Sequence, residues 1–180
     1  QHIAAVEGRV QQLRLRHPHR FSIQEQTERC TGDYIFESKN CTSCFQAFRS
    51  EDCIYLHDAD KIKDNLDGYH SGWSEVLYET YSPVRQRGSA FVAQCWDGSD
   101  IFYCDNCHHC SHCFGCIGLR HKQYCILNRQ FSKEEYAMLL PKIVEHMKST
   151  EEWGEFFPVM LSPYCYNETM AQEYFPVTKE

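Results

Sequence analysis

Cysteine returns in this chain at intervals that read as a structural repeat. Cys113-x2-Cys116-x8-Cys125-Ile126 reproduces Cys41-x2-Cys44-x8-Cys53-Ile54, and Cys95 and Cys104 repeat the nine-residue step. Ser38-Lys39-Asn40-Cys41-Thr42-Ser43-Cys44-Phe45 aligns with Ile62-Lys63-Asp64-Asn65-Leu66-Asp67-Gly68-Tyr69 at an offset of 24. Upstream, Phe21 and Cys30 fit one more copy, with Thr27-Glu28 matching Ser50-Glu51 and Ser74-Glu75. Two columns follow. One runs Phe21, Cys44, Gly68, Cys95, Cys116, and the other Cys30, Cys53, Leu77, Cys104, Cys125, with successive offsets of 23, 24, 27 and 21.

Units of this length, poor in helical periodicity and rich in Cys, Tyr, Phe, Ile, Asn and Gly, are too short for a helix pair and fit coils of a β-solenoid. The predicted fold is mainly β, with about five coils. Stacked coils lie about 4.8 Å apart, so each column residue meets its own counterpart above and below. Free cysteine packs as a small hydrophobe, which makes an internal thiol ladder the plain explanation for most of these residues. The three-residue surplus in the third offset is expected in a bulged surface loop, Ser82-Pro83-Val84-Arg85-Gln86-Arg87-Gly88.

Open strand edges at the ends of a solenoid need caps. Ile3, Val6, Val10 and Leu13 recur at helical spacing, so residues 2–16 are expected to form a helix capping the first coil, ended by Pro18. Ser132-Lys133-Glu134-Glu135 is a capping box that opens a helix through about Lys148, kinked by Pro141. Its apolar face carries Tyr136, Leu139, Leu140, Ile143, Val144 and Met147. From Trp153 to Phe175 an aromatic, Pro-punctuated segment reads as an extended arm across the body. The predicted organisation is a capping helix over 1–17, a Cys-rich solenoid over 18–131, and a helix with an arm over 132–180.

The run from Cys104 to Cys116 holds five Cys and three His in thirteen residues, a density that raises metal binding. Zinc takes four thiolate or imidazole ligands in a closed structural site. Since the repeat places Cys104, Cys113 and Cys116 inside, the candidate ligands are Cys107, His109, Cys110 and His112. Cys104-x2-Cys107-x2-Cys110 also copies the opening of a bacterial ferredoxin, but Cys113 arrives one residue early and Phe114 stands where Pro belongs. Cys165, between two tyrosines, falls outside the repeat and reads as a packed thiol. No glycine-rich phosphate loop, nucleophile elbow or H-E-x-x-H motif occurs. Glu28, Glu51 and Glu75 are expected to share a column, repelling by about 1 kcal/mol per pair in water unless a cation or basic segment intervenes.

Eighteen basic against 25 acidic residues give a net charge of −7, which disfavours nucleic acid as a partner. No run approaches the roughly 18 apolar residues of a membrane span, so no membrane partner is expected. The missing initiator Met and the absence of a terminating signal after Glu180 suggest a fragment of a longer product. Twelve Cys in 180 residues fall below the roughly 8–10% of disulfide-stapled secreted scaffolds, which points to a reducing cytoplasm.

From Cys113-Phe114-Gly115-Cys116-Ile117-Gly118-Leu119-Arg120 onward the chain resembles an uncharacterised, cysteine-rich bacterial protein family known mainly from metagenome-derived genomes. The likeness rests also on Lys122-Gln123-Tyr124, Asn128, Ser132-Lys133-Glu134-Glu135-Tyr136, Glu152-Trp153-Gly154-Glu155-Phe156-Phe157-Pro158, Tyr166-Asn167-Glu168-Thr169 and Glu173-Tyr174-Phe175-Pro176. It covers residues 104–180 and is looser upstream. The resemblance implies a core flanked, in full-length members, by zinc-ribbon-like segments that this chain does not contain. Some members carry an automatic CoA-transferase-type label that nothing in these residues supports, and no catalytic residues carry over. The reading is then a non-enzymatic scaffold binding a protein partner, without a cofactor. The rival is a zinc module organised by residues 104–116, and an enzyme comes third.

Overall fold

The computed structural model describes residues 2–48, 57–60, 63–70, 72–162 and 164–177. It is mainly β: a parallel β-solenoid of about seven turns, with three α-helices outside it. Strands follow one another in chain order through a single sheet. The register is constant: Gly32 pairs with Cys44, His57 with Tyr69, Leu77 with Ser89, Val92 with Cys104, and Cys113 with Cys125. Each turn is therefore twelve residues long. The first turn differs, with Gln24 opposite Ile35 and Glu28 opposite Lys39, eleven residues apart.

The expected five coils of 21–27 residues are corrected to about seven turns of twelve. An offset of 24 spans two turns, so Cys44, Gly68 and Cys116 do share one column. Cys95 belongs to the neighbouring one, and Cys104 lies beneath Cys116 rather than Cys125. Phe21 is fully exposed and in no column, and Cys53 and Glu51 lie outside the described residues. The stretch Ser82–Gly88 is not a bulged loop. Strand register passes through it unbroken, with Val84 opposite Trp96 and Arg87 opposite Ser99, and Pro83 faces the interior.

A triplet underlies the twelve. From Asp64 to Leu127 every third residue has positive φ, and from Asn65 to Cys116 the described residue after each points inward, as Cys125 does again near the end. Four such triplets close a turn with four sides. Left-handed backbone costs a non-glycine residue roughly 1–2 kcal/mol, least for Asn, Asp and His, which occupy many of these corners. The corner turns the amide of the following residue into the lumen, where it needs an acceptor. Where the inward side chain one turn earlier can accept, it supplies one. Leu77 N–H donates to Asn65 Oδ1 (2.8 Å), Gln86 N–H to Ser74 Oγ (3.1 Å), and Cys107, Cys116 and Asn128 N–H to the sulfurs of Cys95, Cys104 and Cys116 (3.4 Å each). The inward thiols, with Ser74 and Ser89, in turn donate to the carbonyl two residues before them, as Ser74 does to Gly72 (2.7 Å) and Cys104 to Phe102 (3.3 Å), whereas the Thr80 hydroxyl has no partner among the described residues. A small side chain that both accepts and donates suits these positions, which is a physical reason for so many cysteines.

One side is aromatic. Tyr78, Ala90, Phe102, Phe114 and Ile126 stack in register along it, with Phe91 and Tyr103 at the adjoining corner. The helix over Lys133–Ser149 packs here through the predicted residues, opened by the predicted capping box: Ser132 Oγ accepts from Glu135 N–H while Glu135 accepts from Ser132 N–H. The helix runs on through Pro141. Trp153, Phe156 and Phe157 continue the cover, pinned where Gly154 N–H donates to Tyr103 Oη (2.9 Å). Beyond them the arm departs from the expectation. Val159, Met160 and Leu161 face outward, and the segment folds on itself, with Tyr166 Oη donating to Phe175 O (2.7 Å).

At the end of the solenoid the chain reverses after Ile126, and Arg129–Gln130 returns antiparallel along Cys125–Ile126. The N-terminal helix, His2–Arg16, forms as predicted, but Ile3, Val6, Val10 and Leu13 are all exposed, so this stripe does not cap the first coil. No helix among the described residues is long and apolar enough to cross a membrane.

Candidate functional site

Two constellations concentrate chemistry, one inside the wall and one outside it. Inside, the turn from Cys104 to Cys113 contributes a thiol from each of its four sides: Cys104, Cys107, Cys110 and Cys113, all buried. Cys95 lies below this layer and Cys116 and Cys125 above it. Hydrogen bonds to Cys107 and Cys116, together with burial, push the ionisation of Cys104 far above that of an ordinary thiol. Cys95 and Cys113 are raised in the same way, by Cys107 and Cys116 respectively and by burial. Cys107 and Cys116 are pulled down by their thiol neighbours, against the effect of burial.

Outside, two corners and the strand position between them form an open groove. One corner column carries Arg85, Asp97, His109 and His121, and the other Gly88, Asp100, His112 and Tyr124. Arg87, Ser99, Ser111 and Gln123 run in register between them. The depression holds about 420 Å3, lined by Arg85, Asp97, Ser99, His109 and Ser111, with Gly98 and Cys110 beneath. Gly98 is needed there. A Cβ would sit 2.9 Å from Cys110 O and 3.0 Å from the Gln86 amide, which fills the space below.

Each wall pairs a carboxylate with an imidazole one turn on. His109 Nε2 lies 3.8 Å from Asp97 Oδ2, and His112 Nδ1 lies 3.7 Å from Asp100 Oδ2. His121 stacks on His109 at 4.7 Å and Tyr124 on His112 at 5.1 Å. Arg85 grips Asp97 from below through Nε and Nη2, the latter 2.9 Å from Oδ2, and this hydrogen bonding holds the Asp97 carboxyl below its usual range. Ser99 and Ser111 place their hydroxyls in the depression between these walls, with no hydrogen bond to either imidazole.

The four candidate zinc ligands are divided by the wall. Cys107 and Cys110 face the lumen, whereas His109 and His112 are corner residues outside the wall, His109 lining the groove. Among the described residues no group of three or more His, Cys, Asp or Glu side chains is placed to hold a metal ion. The expected glutamate column dissolves as well: at a period of twelve Glu75 lies between Lys63 and Arg87, and in the first turn, one residue shorter, Glu28 meets Lys39, with 3.5 Å between the charged groups. Cys165 is exposed rather than packed. Sequence reasoning missed Asp97, Asp100, Ser99, Ser111, His121 and Tyr124. Their signal is Asp-x2-Asp, His-x2-His and His-x2-Tyr at successive steps of twelve.

Comparison of the chain with protein-family models, with curated proteins and with solved structures gives no match.

Proposed function

We propose that this chain is a non-enzymatic binding scaffold that offers its outer faces to a protein partner. The observation that carries this reading is the division of labour across the wall. Inward thiols and hydroxyls are engaged with the backbone, which makes the solenoid rigid, while outward side chains stand in straight columns 12 residues apart in sequence. The groove is the preferred docking face, because its Asp97, Asp100, His109 and His112 are held by neighbours on the same wall and need no ordering on binding.

Protein purified without added metal tests the reading, through elemental analysis and thiol counting before and after denaturation. The scaffold reading expects no stoichiometric metal, with the buried thiols silent until unfolding. About one zinc per chain, removed by chelator together with the fold, would instead establish the zinc module.

A further inference from the structure

The N-terminal helix is unlike the rest of the molecule in charge, and its apolar stripe is uncovered. Four arginines against Glu7 give residues 1–20 a net +3, which leaves −10 for the remainder of a chain whose total is −7. Its stripe is bare: Ile3, Val6, Val10 and Leu13 are 76%, 58%, 43% and 58% exposed.

The order of residues round the helix says what would cover it. At about 100° per residue the stripe spans roughly 80°. Arg9 and Arg16 fall along one border and Arg14, with Glu7 beside it, along the other, while Gly8, Gln11, Gln12 and the exposed Leu15 occupy the far side. All three arginines are exposed. A nucleic acid would use the arginines and leave the aliphatic centre unused. A helix lying in a lipid interface uses both, burying the stripe between acyl chains while the arginines reach up to the headgroups.

We propose that His2–Arg16 is a peripheral membrane-docking helix that lies flat on an anionic lipid surface and tethers the acidic solenoid to it. Spanning is not involved, so the shortage of long apolar runs bears only on a different mode of attachment. Selectivity for anionic lipid follows from charge, since each arginine near such a surface adds attraction that salt screens. The acidic body is repelled by the same surface, so contact is confined to this end of the molecule.

Co-sedimentation of the whole chain with vesicles of phosphatidylcholine containing about one-third phosphatidylglycerol, against phosphatidylcholine alone, tests this. Binding is expected to the anionic vesicles only and to disappear in high salt. Val6→Asp with Val10→Asp, and separately Arg9→Gln with Arg14→Gln and Arg16→Gln, should each lower the partition coefficient on the order of tenfold or more. The substituted positions are exposed, so an unchanged urea midpoint of the β body shows that the fold is intact. Failure of the unaltered chain to sediment with anionic vesicles, or equal binding by the variants, would overturn the proposal. So would an oligouridine complex lost in the arginine variant but kept in the valine variant, which makes the helix a nucleic-acid contact. A dimer that the valine variant converts to monomer would assign the stripe to a second copy.

Discussion

Replacing Cys104 separates a thiol that merely fills space from one that serves the backbone. Its sulfur accepts the N–H of Cys116 at 3.4 Å and its S–H donates to Phe102 O at 3.3 Å, in a position with no solvent exposure. Cys104→Ala removes the acceptor and leaves a buried N–H unmatched, at about 1–3 kcal/mol. The lost sulfur also opens a methyl-sized void that costs about 1 kcal/mol more. The expected destabilisation is therefore about 2–4 kcal/mol. Cys104→Ser keeps both bonds, as Ser74 and Ser89 do at equivalent inward positions, and should cost about 1 kcal/mol or less. Urea unfolding under reductant, followed by circular dichroism, reads the difference as a shift in midpoint at constant slope. Equal losses for Ala and Ser, or a larger loss for Ser, would refute the claim that the lumen selects for hydrogen bonding as well as size.

The double change Cys107→Ser with Cys110→Ser should preserve the fold with the remaining buried thiols still unreactive, whereas loss of folding together with bound zinc would show the pair to be ligands; the corresponding alanine pair is not a clean test, because Cys107 also donates to Cys116 O at 3.3 Å. Gly98→Ala should lower the urea midpoint by an amount equivalent to about 1–3 kcal/mol, since its Cβ meets a backbone oxygen, and an unchanged midpoint would contradict the geometry of the groove floor. Arg85 holds the Asp97 carboxyl below its unfolded value, so this pair contributes stability above the ordinary carboxylate range and loses it as pH falls through the lowered value. Arg85→Gln should move the Asp97 titration upward in a carboxyl-resolved NMR experiment, and an unmoved titration would dismiss the pair.

The architecture was more legible than its period. Thiol recurrence led correctly to a β-solenoid, and Ser132-x2-Glu135 marked the start of the C-terminal helix. The period was doubled because Lys39-Asn40 and Lys63-Asp64 match across two turns, while the turn between them shares neither residue. The elementary step lay in the run from Cys104 to Cys116, where Cys stands at every third position. Elsewhere the lumen takes polar, small and aliphatic side chains alike, and Asn65, Gly68, Leu77, Thr80, Pro83, Gln86, Ser89 and Val92 hide the same triplet under eight residue types. The groove was hidden for a related reason. Its Asp and His residues serve the backbone as tolerated left-handed corners, so they look like turn residues until the twelve-residue register aligns them. The stripe of the first helix was visible in the sequence, but periodicity alone does not say whether an apolar stripe is covered.

Disulfide trapping across the groove tests the twelve-residue turn most directly. Ser99 and Ser111 are in-register neighbours and Gln123 lies one turn further on, which puts successive Cα atoms about 4.8 Å apart and the outer two nearly 10 Å apart. A disulfide accepts the first spacing and not the second. Mild oxidation followed by non-reducing peptide mapping should therefore find a cross-link in Ser99→Cys with Ser111→Cys and none in Ser99→Cys with Gln123→Cys. A cross-link in the second pair and not the first would mean that the chain returns to the same place every 24 residues, and the lumen described above would be wrong.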